Sequence, residues 1–222
     1  MTAVIDGDLA LSDTRVDERK PFPWPVGARL FSHLVIWTVV LIPTITEMAR
    51  GWIAVLDQAT ISLRAFQVFS LHPPLLGQYS TTSESVGHLI YDPGPLQFWL
   101  LAVPVRIDPG QGALWGSALL VGLVLSLAVE ALWATGHRRA CGVMGVAVLV
   151  LAWSLPQLFA QPAWNPYFGL VFLVASIVLA WIVAAGSLSW WPWLVFTASV
   201  AVQAELFFVT FAIVLVVAAP CL

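Results

Sequence analysis

Few side chains in this sequence can do chemistry, and most of them fall between residues 50 and 110. Residues 52–70 have helical periodicity, with Trp52, Leu56, Ala59, Leu63 and Phe66 recurring at spacings of three and four. A helix lying on a membrane surface with that stripe down would hold the Asp57 carboxylate at headgroup level. The Arg64 guanidinium would follow about 10 Å further on, at 1.5 Å of rise per residue. The same two side chains would equally serve only to solvate the outward face of such a helix. His72, Gln78, Tyr79, Glu84, His88, Tyr91 and Asp92 come next, between segments stiffened by Pro73, Pro74, Pro93 and Pro95. Asp57, Glu84 and Asp92 could meet around a divalent ion, although their spacing does not demand one. His33, His72, His88 and His137 lack the spacing of zinc ligands. Further along stand Arg106, at the close of a short apolar run, and Asn165, the only asparagine, between Trp164 and Pro166. Asn165 there can contact a substrate hydroxyl or simply turn the chain. Glu205 interrupts a long apolar stretch, where a charge costs several kcal/mol and has either a partner or a role.

The elements that must position these residues follow from composition. The chain has 222 residues, 60% hydrophobic and only 9% charged, against about 25% charged in soluble domains. Residues 1–29 hold nine charged side chains, and from residue 140 to the end Glu205 is the only Asp, Glu, Lys or Arg. A water-soluble globular fold is excluded. The net charge of −3 and the lack of a basic cluster argue against nucleic acid. Cys141 and Cys221 lie far apart in apolar sequence and read as free thiols. No internal repeat supports a transporter built from related halves.

An all-α polytopic membrane bundle is therefore expected. Residues 1–29 read as a flexible cytoplasmic tail and 30–222 as the transmembrane domain, with residues 50–110 outside the cytoplasm. Spans are expected at residues 30–49, 112–134, 141–160, 166–185 and 191–219, about five in all. The apolar run 95–107 is too short to cross and reads as a re-entrant or interfacial helix. That threading leaves Arg15, Arg19, Lys20, Arg29, Arg138 and Arg139 on the cytoplasmic side, as the positive-inside rule requires. It also puts Asn165 on the side of the 50–94 loop.

The order of these pieces resembles the GT-C superfamily of multi-span glycosyltransferases, the protein-mannosyltransferase-like and arabinosyltransferase-like bacterial membrane proteins above all. The resemblance rests on the early span, Asp57 near the start of an outer helix, Pro74-Leu75-Leu76-Gly77, Pro93-Gly94-Pro95-Leu96, Trp164-Asn165-Pro166, and the segment from Ala198 to Gln203. It covers about residues 30–210. Three positions depart from the usual pattern: Asp92 and Glu205 stand where relatives carry histidine, and Gln58 replaces the second acid of a pair. Superfamily enzymes have more spans, so the resemblance implies that this chain is an N-terminal part or one half of a split protein.

The implied activity is inverting transfer of a sugar from a polyprenyl-phosphate donor to an acceptor hydroxyl, on a glycan or protein, at the outer face of a bacterial plasma membrane. The N-terminus would be cytoplasmic. Asp57 would be the base, and Arg64, His72, His88 and Arg106 the candidates for holding the phosphate. Asp92, Asn165, Gln203 and Glu205 would contact substrate. No metal ligands are assigned; a divalent cation is left open as a cofactor. The alternative expectation is a non-catalytic remnant or accessory subunit that packs against another membrane protein.

Overall fold

The computed structural model describes residues 26–80, 83 and 87–221. The tail at residues 1–25 and Glu84 lie outside them. Nine α-helices occur among the described residues: α1 Val26–Ala49, α2 Asp57–Gln67, α3 Leu96–Ile107, α4 Gly112–Ala134, α5 Arg138–Ser154, α6 Gln157–Ala160, α7 Asn165–Ala184, α8 Trp191–Ala204 and α9 Val209–Ala218. Three helical stretches are long and apolar enough to cross a membrane: Arg29–Ala49, Gly112–Ala134 and Asn165–Ala184. The chain is an all-α, multi-pass helical bundle.

Side-chain bonds fix how the helices run. Arg29 near the start of α1 holds both carboxylate oxygens of Glu130 near the end of α4, and His33 meets one of them at 2.6 Å. At the other end, the Gln111 amide just before α4 donates to the Met48 carbonyl of α1 at 3.3 Å. The two helices are therefore antiparallel. Thr44 donates to the Val40 carbonyl within α1 and also reaches the Phe159 carbonyl of α6. Between α7 and α8 the hydroxyls of Ser176 and Thr197 hydrogen-bond at 2.8 Å, both fully buried. Around these bonds α4, α7 and α8 bury Val121, Leu125, Leu132, Phe168, Leu179 and Leu194 in one core.

Helix α3 does not traverse this bundle. Its first backbone N–H donates to Gln203 at the end of α8, and Gln97 donates to the Ala163 carbonyl just before α7. Its far end reverses through Asp108, whose Oδ1 accepts from the Gly110 and Gln111 N–H groups, straight into α4 beside Met48. Both ends of α3 thus lie at one end of the bundle. Helix α2 packs on α3 through Ile61 and Ala65, against Phe98, Leu101 and Val105. The expected membrane-facing stripe of α2 behaves differently from its inner face: Leu56, Leu63 and Phe66 stay exposed, while Gln58, Ile61 and Ala65 turn to the protein.

Two expected spans are divided. Residues 141–160 become α5 and α6, parted at Leu155, which precedes Pro156 and leaves the helical region (φ −131°, ψ 66°). Residues 191–219 are not one helix. The chain breaks at Glu205 (φ −153°, ψ 112°), makes a 3₁₀ turn at Leu206–Phe208 and returns as α9. The Trp191 indole donates to the Val216 carbonyl at 3.2 Å, so α8 and α9 form an antiparallel hairpin with Glu205 at its tip. A continuous helix would have carried that carboxylate into the middle of the apolar layer, where ionisation costs several kcal/mol. The break moves it to the end of the bundle.

Glycine placement offers a test. A Cβ on Gly112 would run into the Pro104 carbonyl of α3, 2.6 Å from its carbon and 2.7 Å from the Val105 Cα, all backbone atoms that cannot step aside. A Cβ on Gly142 of α5 would meet nothing within 4 Å. Gly112→Ala is expected to destabilise the protein by about 1–3 kcal/mol. Gly142→Ala should be neutral or stabilising by roughly 0.5–1 kcal/mol. Thermal unfolding of the detergent-solubilised chain reads both.

Candidate functional site

The segments before α2, α3 and α7 and the turn after α8 converge at the α3 end of the bundle. Residues 77–80 and 90–92 form a short ribbon: Gly77 N–H donates to the Asp92 carbonyl, Asp92 N–H to the Gln78 carbonyl and Ser80 N–H to the Ile90 carbonyl, all at 2.9–3.0 Å. Tyr79 and Tyr91 make an isolated antiparallel bridge. Gly77 permits this crossing, because a Cβ there would lie 2.6 Å from the Asp92 Cβ. Gly94 likewise packs directly against the Gln203 side chain. Gln203 therefore anchors the start of α3, satisfying an N–H that a helix end leaves unpaired.

Asp57 opens α2. Leu56 before it has a left-handed φ of 48°, a conformation that costs a non-glycine residue about 1–3 kcal/mol. Across from it, the Trp164 indole N–H donates to Asp57 Oδ2 at 3.0 Å. Trp164 is the N-cap of α7, so the same turn presents Asn165, whose Nδ2 donates to Asp92 Oδ2 at 3.4 Å. Asp57, Asp92, Asn165 and Glu205 all line one cavity of about 280 Å³, together with Gln78 and Tyr79.

The electrostatics of this cavity are those of acids without cations. Burial pushes the Asp92 carboxyl up to about 6, helped by the nearby Glu205 charge, while the Leu206 N–H and Asn165 favour its ionised form. Burial also raises Glu205, the Asp57 charge adding to it against the Phe207 N–H. The helix break explains those donors, since it frees the N–H groups of residues 206 and 207 to face the carboxylates.

A second cleft of about 320 Å³ adjoins the first, and Arg64, His72, Pro74, Gly77 and Tyr91 line it. Gly77 and Tyr91 in this cleft are chain neighbours of Gln78 and Asp92 in the first, so the two clefts meet along the same ribbon. His88 is exposed in the turn of the ribbon and borders neither. Arg106 lies apart as well, its guanidinium 4.4 Å above the Phe66 ring and 6.0 Å from that of Phe69. That stacking joins α3 to α2. Among the described residues, no group of three His, Cys, Asp or Glu is arranged to hold a metal ion.

Sequence reasoning misses Trp164 as a partner of Asp57, because a tryptophan near a span end reads as an interfacial anchor; its place beside the lone asparagine is the signal that it does more. No known protein family, curated protein or solved structure matches this chain.

The raised Asp92 carboxyl predicts a pH dependence. Because its pKa is higher folded than unfolded, its contribution to stability is present below about pH 4 and is lost as pH rises through about 6. Unfolding midpoints should fall over that interval in the unmodified chain. Asp92→Asn should flatten the decline.

Proposed function

We propose that this chain carries the site of a GT-C-type membrane glycosyltransferase, moving a sugar from a polyprenyl-phosphate donor to an acceptor hydroxyl of a glycan or protein. The observation that carries this reading is the placement of Asp57, Asp92, Asn165 and Glu205 on one cavity beside the Arg64–His72 cleft. The acceptor oxygen attacks the anomeric carbon and gives its proton to Asp57. The bond from that carbon to the phosphate oxygen breaks, and the polyprenyl phosphate leaves with the electron pair, inverting the centre. Asp57 is suited to this by position, one carboxylate oxygen steadied by Trp164 and the other available. Arg64 and His72 hold the departing phosphate dianion, and the residues around Asp92 orient the substrate.

Five or six passes, with α2 and α3 lying on the outer surface of a bacterial plasma membrane, fit this chemistry. Arg29, Arg138 and Arg139 belong to the end opposite the cavity: Arg29 is tied to Glu130, and His137 stacks on Trp181 near the end of α7. That end is then cytoplasmic.

Two experiments test the proposal. Liposomes containing the chain are supplied in turn with radiolabelled polyprenyl-phosphate mannose and polyprenyl-phosphate arabinose. Transfer is expected, falling about 10²–10⁴-fold in Asp57→Asn with unchanged helical circular dichroism. Arg64→Ala should raise the donor KM more than it lowers kcat. Transfer retained by Asp57→Asn would remove Asp57 as base, and no transfer from any such donor would favour an accessory subunit instead. For orientation, a cysteine at Ser70 in a cysteine-free background should react with an impermeant maleimide on intact cells. One at Arg139 should react only after lysis, and the reverse pattern overturns the topology.

A further inference from the structure

The cavity at Asp57 offers many acceptors and few free donors. Asp57, Asp92 and Glu205 bring three carboxylates, and none of the described lining residues is cationic. Gln78 and Asn165, only 7% and 6% exposed, each leave a buried oxygen without a partner, Oε1 and Oδ1 respectively. Among the donors at hand, the Trp164 indole is engaged by Asp57, and the Asn165 amide and the Leu206 N–H by Asp92; the Tyr79 and Ser80 hydroxyls line the same cavity. Buried acceptors left in this state cost free energy until something supplies hydrogen to them.

Ligand classes differ in what they would bring. A neutral sugar hydroxyl adds one donor but also two lone pairs, and leaves the carboxylate charge uncompensated. A metal ion needs its ligands gathered at bonding distance, and no such group exists among the described residues. A primary ammonium adds three donors, no acceptor and one positive charge. Paired with carboxylates it makes short, charge-assisted hydrogen bonds, and it can reach acids that stand on different walls.

We propose that this cavity binds a sugar bearing a free primary amine, its ammonium seated between Asp92 and Glu205 and facing the amide oxygens of Asn165 and Gln78. A volume of about 280 Å³ suits one sugar ring. Burial makes Asp92 costly to ionise, and an ammonium beside it would offset that cost. Binding of the amine stands by itself; only the role of that sugar, as donor or acceptor, rests on the transferase reading.

The test is calorimetric titration of the full chain in phosphatidylcholine nanodiscs with glucosamine, N-acetylglucosamine, glucose and manganese chloride. Glucosamine should saturate with a Kd at least tenfold below those of both neutral sugars. Asp92→Asn and Glu205→Gln should each weaken it tenfold or more with unchanged helical circular dichroism. Equal affinity for glucosamine and N-acetylglucosamine, no saturation by glucosamine, or manganese binding that glucosamine fails to displace would each overturn the proposal. The sugar comparison needs no variant, so a misfolded mutant does not weaken it. Amine selectivity without any sugar transfer would sink the transferase reading and leave this one standing; transfer without amine selectivity would do the opposite.

Discussion

Helix α3 rises only about 18 Å over its twelve residues, and the hydrocarbon layer is about 30 Å thick. Its first turn is held by Gln203 and Ala163 and its exit lies beside Met48, so the chain leaves it at the end of the bundle where it entered. Everything near the cavity depends on that. The loop carrying Asp57 and Asp92, the turn carrying Asn165 and the hairpin tip carrying Glu205 share an end only because α3 lies across it. The contacts that keep it there are specific: Gln203 at its first turn, Ala163 beside it, and glycines of α4 that admit Pro104 at close range.

On this platform the chain gathers acidic side chains with little to neutralise them. Cations are near but are used elsewhere or line the next cleft. Arg106 lies on phenylalanine rings, Arg50 pairs with Glu47 at 2.9 Å, and Arg64 faces the next compartment. What holds the carboxylates is a small set of neutral donors: one indole, one amide and the backbone N–H groups released by a broken helix. Such donors fix geometry while leaving net negative charge for a ligand to meet, which suits a binding site better than a structural ion pair. The contrast within the same protein is Glu130, which at the other end is clasped by Arg29 and His33.

Long uniform apolar runs make α1, α4 and α7 legible in the sequence, as do the shortness of 95–107 and the punctuation by Pro109 and Gly110. The division of 191–219 is not legible, because hydropathy averages over a window and a single acid barely changes the mean; only the presence of Glu205 itself hints at trouble. The stripe of α2 expected to face a membrane stays largely exposed, and what periodicity does not show is the opposite face. There a glutamine turns inward, Gln58 bonding Gln161 at 3.2 Å. Among candidate residues, Asp57, Asp92, Asn165 and Glu205 meet at one cavity, whereas His88 and Arg106 do not. Residue type alone cannot distinguish an arginine that faces a cleft from one stacked on aromatic rings.

The division at Glu205 also sets how the last hairpin is held. With their flanking 3₁₀ turns its arms run over residues 188–204 and 206–221, each shorter than the roughly 20 residues of a free-standing crossing. The Ser176–Thr197 hydrogen bond ties one arm to α7, and the Trp191 indole on the Val216 carbonyl ties the arms to each other. The tip at Glu205 therefore keeps its height by leaning on its neighbours and not by the length of either arm.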